Sequence, residues 1–272
     1  MNRWVKESID LAAQDGYLDK LHSVYSVADI QPRKIPPALL EQIVKAHNDK
    51  KPFDLITALL KLSKFPIDDI YVGLLRQDKN AINVNPKTVE RIGRRLIDSM
   101  EVEDLIKLCK QPKVSNRQMG ELFHKAFMGL GFPRLNEDDF RKQDSAVSMD
   151  GKKLPILMLE GTRKEYRDFV NRECGCGLEK ELDVLLKVKG EYVIGEAKFF
   201  SGFGGHQFDQ FKDAVDDFLL KSQGNATRIA VLDGVVWLDT GEKMCLKVRR
   251  LESIAMSALL LPKFLEVIQT AS

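Results

Sequence analysis

Three residues of this 272-residue chain have types and spacing that could do chemistry: Asp183, Glu196 and Lys198. They fall in two apolar segments, "ELDVLLKV" and "EYVIGEAKFF", that read as neighbouring strands. The segments meet at Lys189-Gly190, which suits a two-residue hairpin turn with glycine second. Val188 then stands opposite Glu191. Counting back puts Asp183 opposite Glu196, and Glu181 opposite Lys198. Alternation gives one face to Leu182, Val184, Leu186, Val188, Val193, Ala197 and Phe199, with a gap at Gly195. That face reads as core. The other carries Glu181, Asp183, Glu196 and Lys198 at one end, and Leu185, Tyr192 and Ile194 nearer the turn.

Two carboxylates placed directly opposite each other repel, so this pair calls for a positive charge between them. A hard divalent cation with oxygen ligands answers that need, and Mg²⁺ is the usual ion of phosphate chemistry. Asp183 and Glu196 are the expected ligands, with the Ala197 carbonyl as a third. Lys198 beside the metal could orient a water or steady charge developing on phosphate. The chemistry implied is metal-assisted phosphodiester hydrolysis. An exposed sheet face with a cross-strand Glu181–Lys198 pair is the plainer alternative. Acidic-x-Lys triplets are common: Asp49-Lys-Lys51 and Asp150-Gly-Lys152 also match, and both sit in turns. Glu196-Ala-Lys198 differs in being the only Glu-x-Lys of the chain, in ending an apolar strand, and in facing an acid across a short turn.

The elements that must position this trio follow from periodicity. Up to about Lys113 the chain reads as helices: "PPALLEQIVKAH", "FDLITALLKLSKF", "IDDIYVGLLRQ", "NPKTVERIGRRLIDSM" and "VEDLIKLCK". In the fourth, Asn85 suits the cap, Pro86 the first turn, and Val89, Ile92, Leu96 and Met100 the buried stripe. A helix over "RQMGELFHKAF" opens the second part, and "LPILMLEG" reads as a strand. "RKEYRDFVNREC" is a helix, and "HQFDQFKDAVDDFLLKS" another behind a glycine-rich loop. "TRIAVLDG" and "VVWLDT" read as strands, and "SIAMSALLLPKFLEVIQ" as a closing helix. The expected fold is α/β (α+β), a central mixed β-sheet flanked by helices, with a helical N-terminal region over residues 1–114 and the catalytic core over 115–272.

Composition sets bounds. Hydrophobic content of 44% and charged content of 30% are those of an ordinary globular protein. No apolar run approaches the length of a membrane span, and "MNRWVKESIDLAAQDG" has no signal core, so the expected location is the cytoplasm. Cys109, Cys174, Cys176 and Cys245 show neither a disulfide framework nor a closed zinc spacing, and reduced thiols are expected. Net charge is +2, so any nucleic-acid contact must come from local patches. Basic clusters occur at Lys87, Arg91, Arg94 and Arg95, at Lys110, Lys113 and Arg117, at Arg163, Lys164, Arg167 and Arg172, and at Lys247, Arg249 and Arg250. Each is also compatible with a solvated face.

Asp183, twelve intervening residues and Glu196-Ala-Lys198 resemble the signature of the PD-(D/E)xK nucleases, with Leu182 where a proline is usual. The stretch "GEAKFFSGFGGHQFDQFKDAV", with "SNRQMGELFHKAF" upstream and "RIAVLDGVVWL" downstream, is similar to type II restriction endonucleases over about the last 160 residues. The resemblance implies a Mg²⁺-dependent enzyme, a homodimer that cuts both strands of a short double-stranded DNA site. It implies Asp183 and Glu196 as metal ligands and Lys198 as catalytic lysine. Glu121 becomes the candidate helix-borne acid near the site, although a pair with Lys125 one turn on explains it as well. Gln207 and Gln210 are candidate supporting residues, and His206 a helix cap or DNA contact. Arg91, Arg94, Arg95 and Arg117 are the candidate DNA-binding arginines. Two alternatives stand beside this: a repair or junction-type nuclease of the same fold, and a DNA-binding protein that does not cleave.

Overall fold

The computed structural model describes residues 1–26, 32–78, 80–111, 116–148, 151, 153–221 and 223–270. The chain divides into two compact units, Met1–Val27 with Ser115–Ser272, and Ala28–Val114. The first 27 residues thus fold with the second part of the chain and not with the helices that follow them.

The unit Ala28–Val114 carries the five expected helices, at Pro37–Asn48, Pro52–Leu60, Val72–Gln77, Pro86–Ser99 and Val102–Lys110. Prolines open three of them, where the missing N–H has no helical partner to lose. Ile43, Leu55, Ile56, Leu59, Val89, Ile92, Leu96 and Leu105 form its buried core. Asn85 does not cap the fourth helix with its side chain; its Nδ2 donates back to the Ala81 carbonyl at 2.8 Å.

The larger unit is built on a mixed sheet. Its strands are β1 (Arg134–Leu135), β4 (Ile156–Leu159), β5 (Val184–Val188), β6 (Glu191–Phe200), β7 (Thr227–Gly234) and β8 (Ala255–Met256), in the spatial order β1-β4-β5-β6-β7-β8. Two short strands, β2 (Ala146–Val147) and β3 (Lys153–Leu154), pair separately. β4, β5 and β6 are antiparallel neighbours, whereas β6, β7 and β8 run parallel. The α/β class and the helix-flanked mixed sheet match expectation.

Three expectations fail in detail. The hairpin does not have one core face and one charged face. Every residue of β5 is buried, and Leu185 and Ile194, assigned to the charged face, are fully so. Lys187 is buried on that face too, its ammonium donating to the carbonyls of Arg141 and Gln143, each at 3.0 Å, and pairing with Asp144 at 2.8 Å. A strand covered on both sides loses the alternation that marks a half-exposed one. "VVWLDT" is not a strand. Gly234 ends β7 with φ of 89°, Val235–Trp237 turns as a short 3₁₀ helix, and the buried indole of Trp237 donates to the Leu232 carbonyl at 2.7 Å. The segment after residue 252 is β8, a 3₁₀ turn and then the helix Leu261–Thr270, not one helix. The helix behind the glycine loop is α-helical over Gly205–Lys212 and π-helical over Asp213–Leu219.

The N-terminal segment is tied down by specific groups. Asn2 caps the helix Arg3–Ala12 and its N–H donates to the Leu251 carbonyl at 2.8 Å. Trp4 packs edge-on against Phe264 at 5.4 Å. The centre of the attachment is Asp233, fully buried at the end of β7. It accepts from Tyr25 Oη at 2.8 Å, Ser257 Oγ at 2.5 Å and the Ala258 N–H at 3.0 Å, with Tyr17 Oη at 3.4 Å. Burial pushes its carboxyl up to about 6 against the pull of these donors.

Asp233→Asn replaces an oxygen that accepts here by an NH₂, which either faces the Ala258 N–H or forces the hydroxyls of Ser257 and the tyrosines to turn, and should cost about 2–4 kcal/mol in denaturant unfolding. A raised carboxyl means that the folded state holds the proton more tightly than the unfolded one. The stability of the wild type relative to this variant should therefore fall as pH climbs from 3.8 through about 6, and stay level above.

Candidate active site

The turn fixes the register. Lys189 and Gly190 both have positive φ, 50° and 89°, the backbone of a tight hairpin turn whose twist suits the flanking strands. Val188 pairs with Glu191 and, at the other end, Val184 with Gly195, as the count from a two-residue turn requires. Gly195 fills no gap: a Cβ there would lie 2.9 Å from Ile229 Cγ1 and 3.0 Å from Val184 Cβ. Its missing side chain lets the strands on either side close over β6.

The register changes at the next residue. The Asp183 N–H bonds to the Gly195 carbonyl at 3.1 Å, so Asp183 and Val184 share one partner on β6. Two residues against one is a β-bulge, and β5 begins only after it. Glu181 is therefore an exposed loop residue, and its expected pairing with Lys198 does not form within the ladder. Leu182 leaves the strand path altogether, its N–H going to the Arg163 carbonyl at 3.2 Å.

β6 runs on beyond this point without β5 beside it. The Ala197 N–H, which a longer β5 would have met, donates instead to Asp183 Oδ2 at 2.9 Å. The N–H and C=O of a strand residue point to the same side, so the Ala197 carbonyl faces the gap that β5 leaves. Asp183 Oδ1 faces Arg163 Nε at 3.5 Å. Burial pushes the Asp183 carboxyl above its ordinary value; the Ala197 N–H, Lys198 and Arg163 pull it back down.

Glu196 is 6% exposed and Asp183 8% exposed, levels at which a carboxylate needs a partner. Lys198 serves both. Its ammonium pairs with Glu196 Oε1 at 2.6 Å, and its charge acts on Asp183. The trio thus assembles around Lys198 and not by direct opposition of the two acids. Glu196 also lines a cavity of about 330 Å³ with Lys180, Glu181, Leu182 and Asp213, which places it beside open space.

Glu121, on the helix Asn116–Met128, pairs with Arg163 Nη2 at 3.4 Å and contributes to the field at Asp183. One turn on, His124 is half-buried beside the Tyr166 ring, with its Nδ1 buried and without a hydrogen-bond partner among the described residues. Burial and the Arg163 charge lower its pKa, which keeps it neutral. Sequence reasoning placed neither Arg163 nor His124 at this site. The only signal for Arg163 was its place in a basic cluster, whose other arginines pair outward: Arg167 with Asp168 and Arg172 with Glu137.

The other candidates are dispersed. Gln210 lies against His206, 3.1 Å between their Nε2 atoms, and Gln207 Nε2 donates to Ser201 Oγ at 3.2 Å. In the helical unit, Arg91 pairs with Asp69 at 3.3 Å and lies over the Tyr71 ring, Arg94 pairs with Glu90 at 2.9 Å, and Arg95 is exposed. Arg117 falls in the first turn of its helix; its side chain lies outside the described residues.

The donor chemistry fits a hard divalent cation. Glu196 keeps one oxygen free of the contacts above, Asp183 Oδ1 meets only the Arg163 guanidinium at 3.5 Å, and a backbone carbonyl faces the same gap. Among the described residues no group of three or more His, Cys, Asp or Glu side chains could hold a metal ion. Two carboxylates with waters and substrate phosphate completing the shell is the Mg²⁺ pattern, not that of a closed protein cage.

The sequence model of the family described as Tsp45I type II restriction enzyme matches residues 2–268. No curated protein matches the chain. No helix among the described residues is long and apolar enough to cross a membrane.

Gly195→Ala should crowd Ile229 and Val184 and cost about 1–3 kcal/mol, read from chemical denaturation. Cleavage should fall with it, because the strand that carries Glu196 and Lys198 is the one displaced.

Proposed function

The chain belongs to the Tsp45I type II restriction enzyme family, and from that premise we propose that Asp183, Glu196 and Lys198 carry out its cleavage of DNA. The family makes it a site-specific deoxyribonuclease, a hydrolase whose substrate is DNA. Enzymes of this kind generally need a divalent metal; Mg²⁺ is our reading for this one, with Asp183, Glu196 and the Ala197 carbonyl as its ligands. The observation that carries the proposal is a pair of nearly buried carboxylates at the end of the hairpin, one bonded to Lys198 and the other acted on by its charge, beside a backbone carbonyl that faces the end of β5.

A bound cation at that place supplies a Lewis acid for the phosphoryl oxygen and lowers the pKa of a coordinated water. The residues do the rest. The Ala197 N–H fixes the rotamer of Asp183 and leaves Oδ1 for coordination. Lys198 Nζ, held by Glu196 Oε1, is placed to orient the attacking water or to hold charge on a non-bridging phosphate oxygen. The burial of both acids excludes bulk water and strengthens each of these interactions.

Phosphate contacts would position the duplex, and base-edge contacts would specify the site. Arg95 and Arg94 suit the first task. The exposed Arg94–Glu90 pair is worth only ~0.3–0.5 kcal/mol and gives way to a phosphate. Arg91 is tied more firmly, to Asp69, whose side chain is only 6% exposed. His206 and the loop ahead of it can approach a backbone phosphate, since nothing lies within 4 Å of a Cβ placed at Gly202, Gly204 or Gly205. We read the helical unit as a DNA-contacting or dimerising part and the sheet unit as the nuclease, acting as a homodimer that cuts both strands.

Digestion of a sequenced plasmid with Mg²⁺ should give discrete fragments, and run-off sequencing of their ends should return one short site. Fragments without a common end sequence, or nicking confined to branched DNA, would overturn this reading. Glu196→Ala should abolish cleavage while DNA still shifts in a gel. Lys198→Ala should slow cleavage by ~10²–10⁴-fold, measured in single turnover.

A further inference from the structure

Arg163 lies at the centre of the site's charge, and nothing in the hydrolytic scheme uses it. Its guanidinium sits between two carboxylates, 3.5 Å from Asp183 Oδ1 and 3.4 Å from Glu121 Oε2. Both distances exceed those of strong charge-assisted hydrogen bonds, which fall near 2.7–2.9 Å. The one close bond it makes with this neighbourhood is to a neutral group, the Gly120 carbonyl, at 3.0 Å. The guanidinium is therefore anchored by a peptide oxygen and lies loosely against both acids. Asp183 leaves it little choice of oxygen. Oδ2 is taken by the Ala197 N–H, so the oxygen facing Arg163 is also the one that remains for a metal.

Arg163 is held from both ends. Its carbonyl accepts the Leu182 N–H, so the residue that meets the Asp183 carboxylate also fixes the start of the bulge. Its side chain keeps 18% of its surface exposed at the start of the helix Arg163–Cys174. The charged groups whose fields act on Asp183 include Lys198 and Glu121, and Glu196 stands beside Lys198.

We propose that Arg163 is a positioning residue that holds the place of the divalent cation. In the metal-free protein it supplies the positive charge between Asp183 and Glu121; when the cation binds, it gives up Asp183 Oδ1 and keeps its bond to Gly120. Arg163 and the metal compete for one oxygen. This inference rests on Asp183 being a metal ligand, as argued above.

The test is direct binding of Mn²⁺, a hard divalent ion whose free form is counted by electron paramagnetic resonance, to the full-length metal-free protein. Arg163→Gln should bind Mn²⁺ on the order of tenfold more tightly than the wild type, because a like charge next to the ligand is gone. Its metal-free melting temperature should fall, and the rise on adding Mn²⁺ should exceed that of the wild type. Should Arg163→Gln fail to fold, Arg163→Met serves: it keeps the aliphatic stem and removes the charge, so this variant should also bind Mn²⁺ more tightly than the wild type. A structural bracket would not move the affinity upward. Mn²⁺ binding that is unchanged or weaker in these variants, but abolished by Asp183→Asn, overturns the role of Arg163 alone. Equal binding by the wild type and Asp183→Asn removes the site itself and overturns both readings.

Discussion

One hydrogen bond, from the Ala197 N–H to the Asp183 carboxylate, marks the point on which the site depends. A backbone donor in a buried strand must be satisfied, and here the neighbouring strand stops two residues too soon to do it. A side chain takes the place of the missing backbone. The substitution draws the carboxylate into the edge of the sheet and fixes its rotamer. It also leaves the Ala197 carbonyl facing the gap. The bulge at Asp183 is therefore what turns a regular hairpin into the site we propose for the cation. The tight turn at Lys189-Gly190 sets the register from one end; the shared partner at Gly195 breaks it at the other.

That break also divides what the sequence could reveal from what it could not. The turn was legible because two positive-φ positions suit a glycine-bearing pair, and register follows from turn length alone. The helices of the region 28–114 were legible because their apolar residues recur at helical spacing. A bulge leaves no mark in the pattern of residue types, so alternation carried through Asp183 as if the ladder were regular. The same pattern concealed the burial of β5 on both faces. Leu185 and Ile194 read as the apolar remainder of a charged face, when they belong to a second packed layer. Lys187 misled in a different way. A buried lysine looks like a surface residue until the carbonyls at the end of the helix Glu137–Lys142 are seen to satisfy it. The attachment of Met1–Val27 to the sheet was beyond reach for a simpler reason: its contacts, Tyr25 to Asp233 and Trp4 to Phe264, are more than 200 residues apart in sequence.

Arg163 shows the limit of reading charge clusters. In sequence it is one of four basic residues over ten positions, and such runs are ordinarily solvated. The fold separates them. Arg167 and Arg172 pair with acids on the surface, while Arg163, opening the helix, turns inward to Glu121 and Asp183. Helical spacing distributes neighbouring residues over different faces, so a cluster in sequence is seldom a patch in space.

Among its described residues the larger unit buries two aspartates, and their surroundings differ. Asp233 is enclosed by four donors, Tyr17 and Tyr25 from the N-terminal segment and Ser257 and Ala258 from the chain after β8, and so ties the two to the end of β7. Nothing about it invites a ligand, because its lone pairs are already occupied. Asp183 has one close donor, the Ala197 N–H; its other oxygen meets only a guanidinium at 3.5 Å. Burial raises the pKa of both, so the shift alone does not separate them. What separates them is saturation. A buried acid whose hydrogen bonds are complete is part of the scaffold, whereas one left short beside a second acid and a lysine retains the capacity to bind a cation. That criterion supports the placement we propose for the chemistry, at the end of β5, where the sheet leaves its own bonding unfinished.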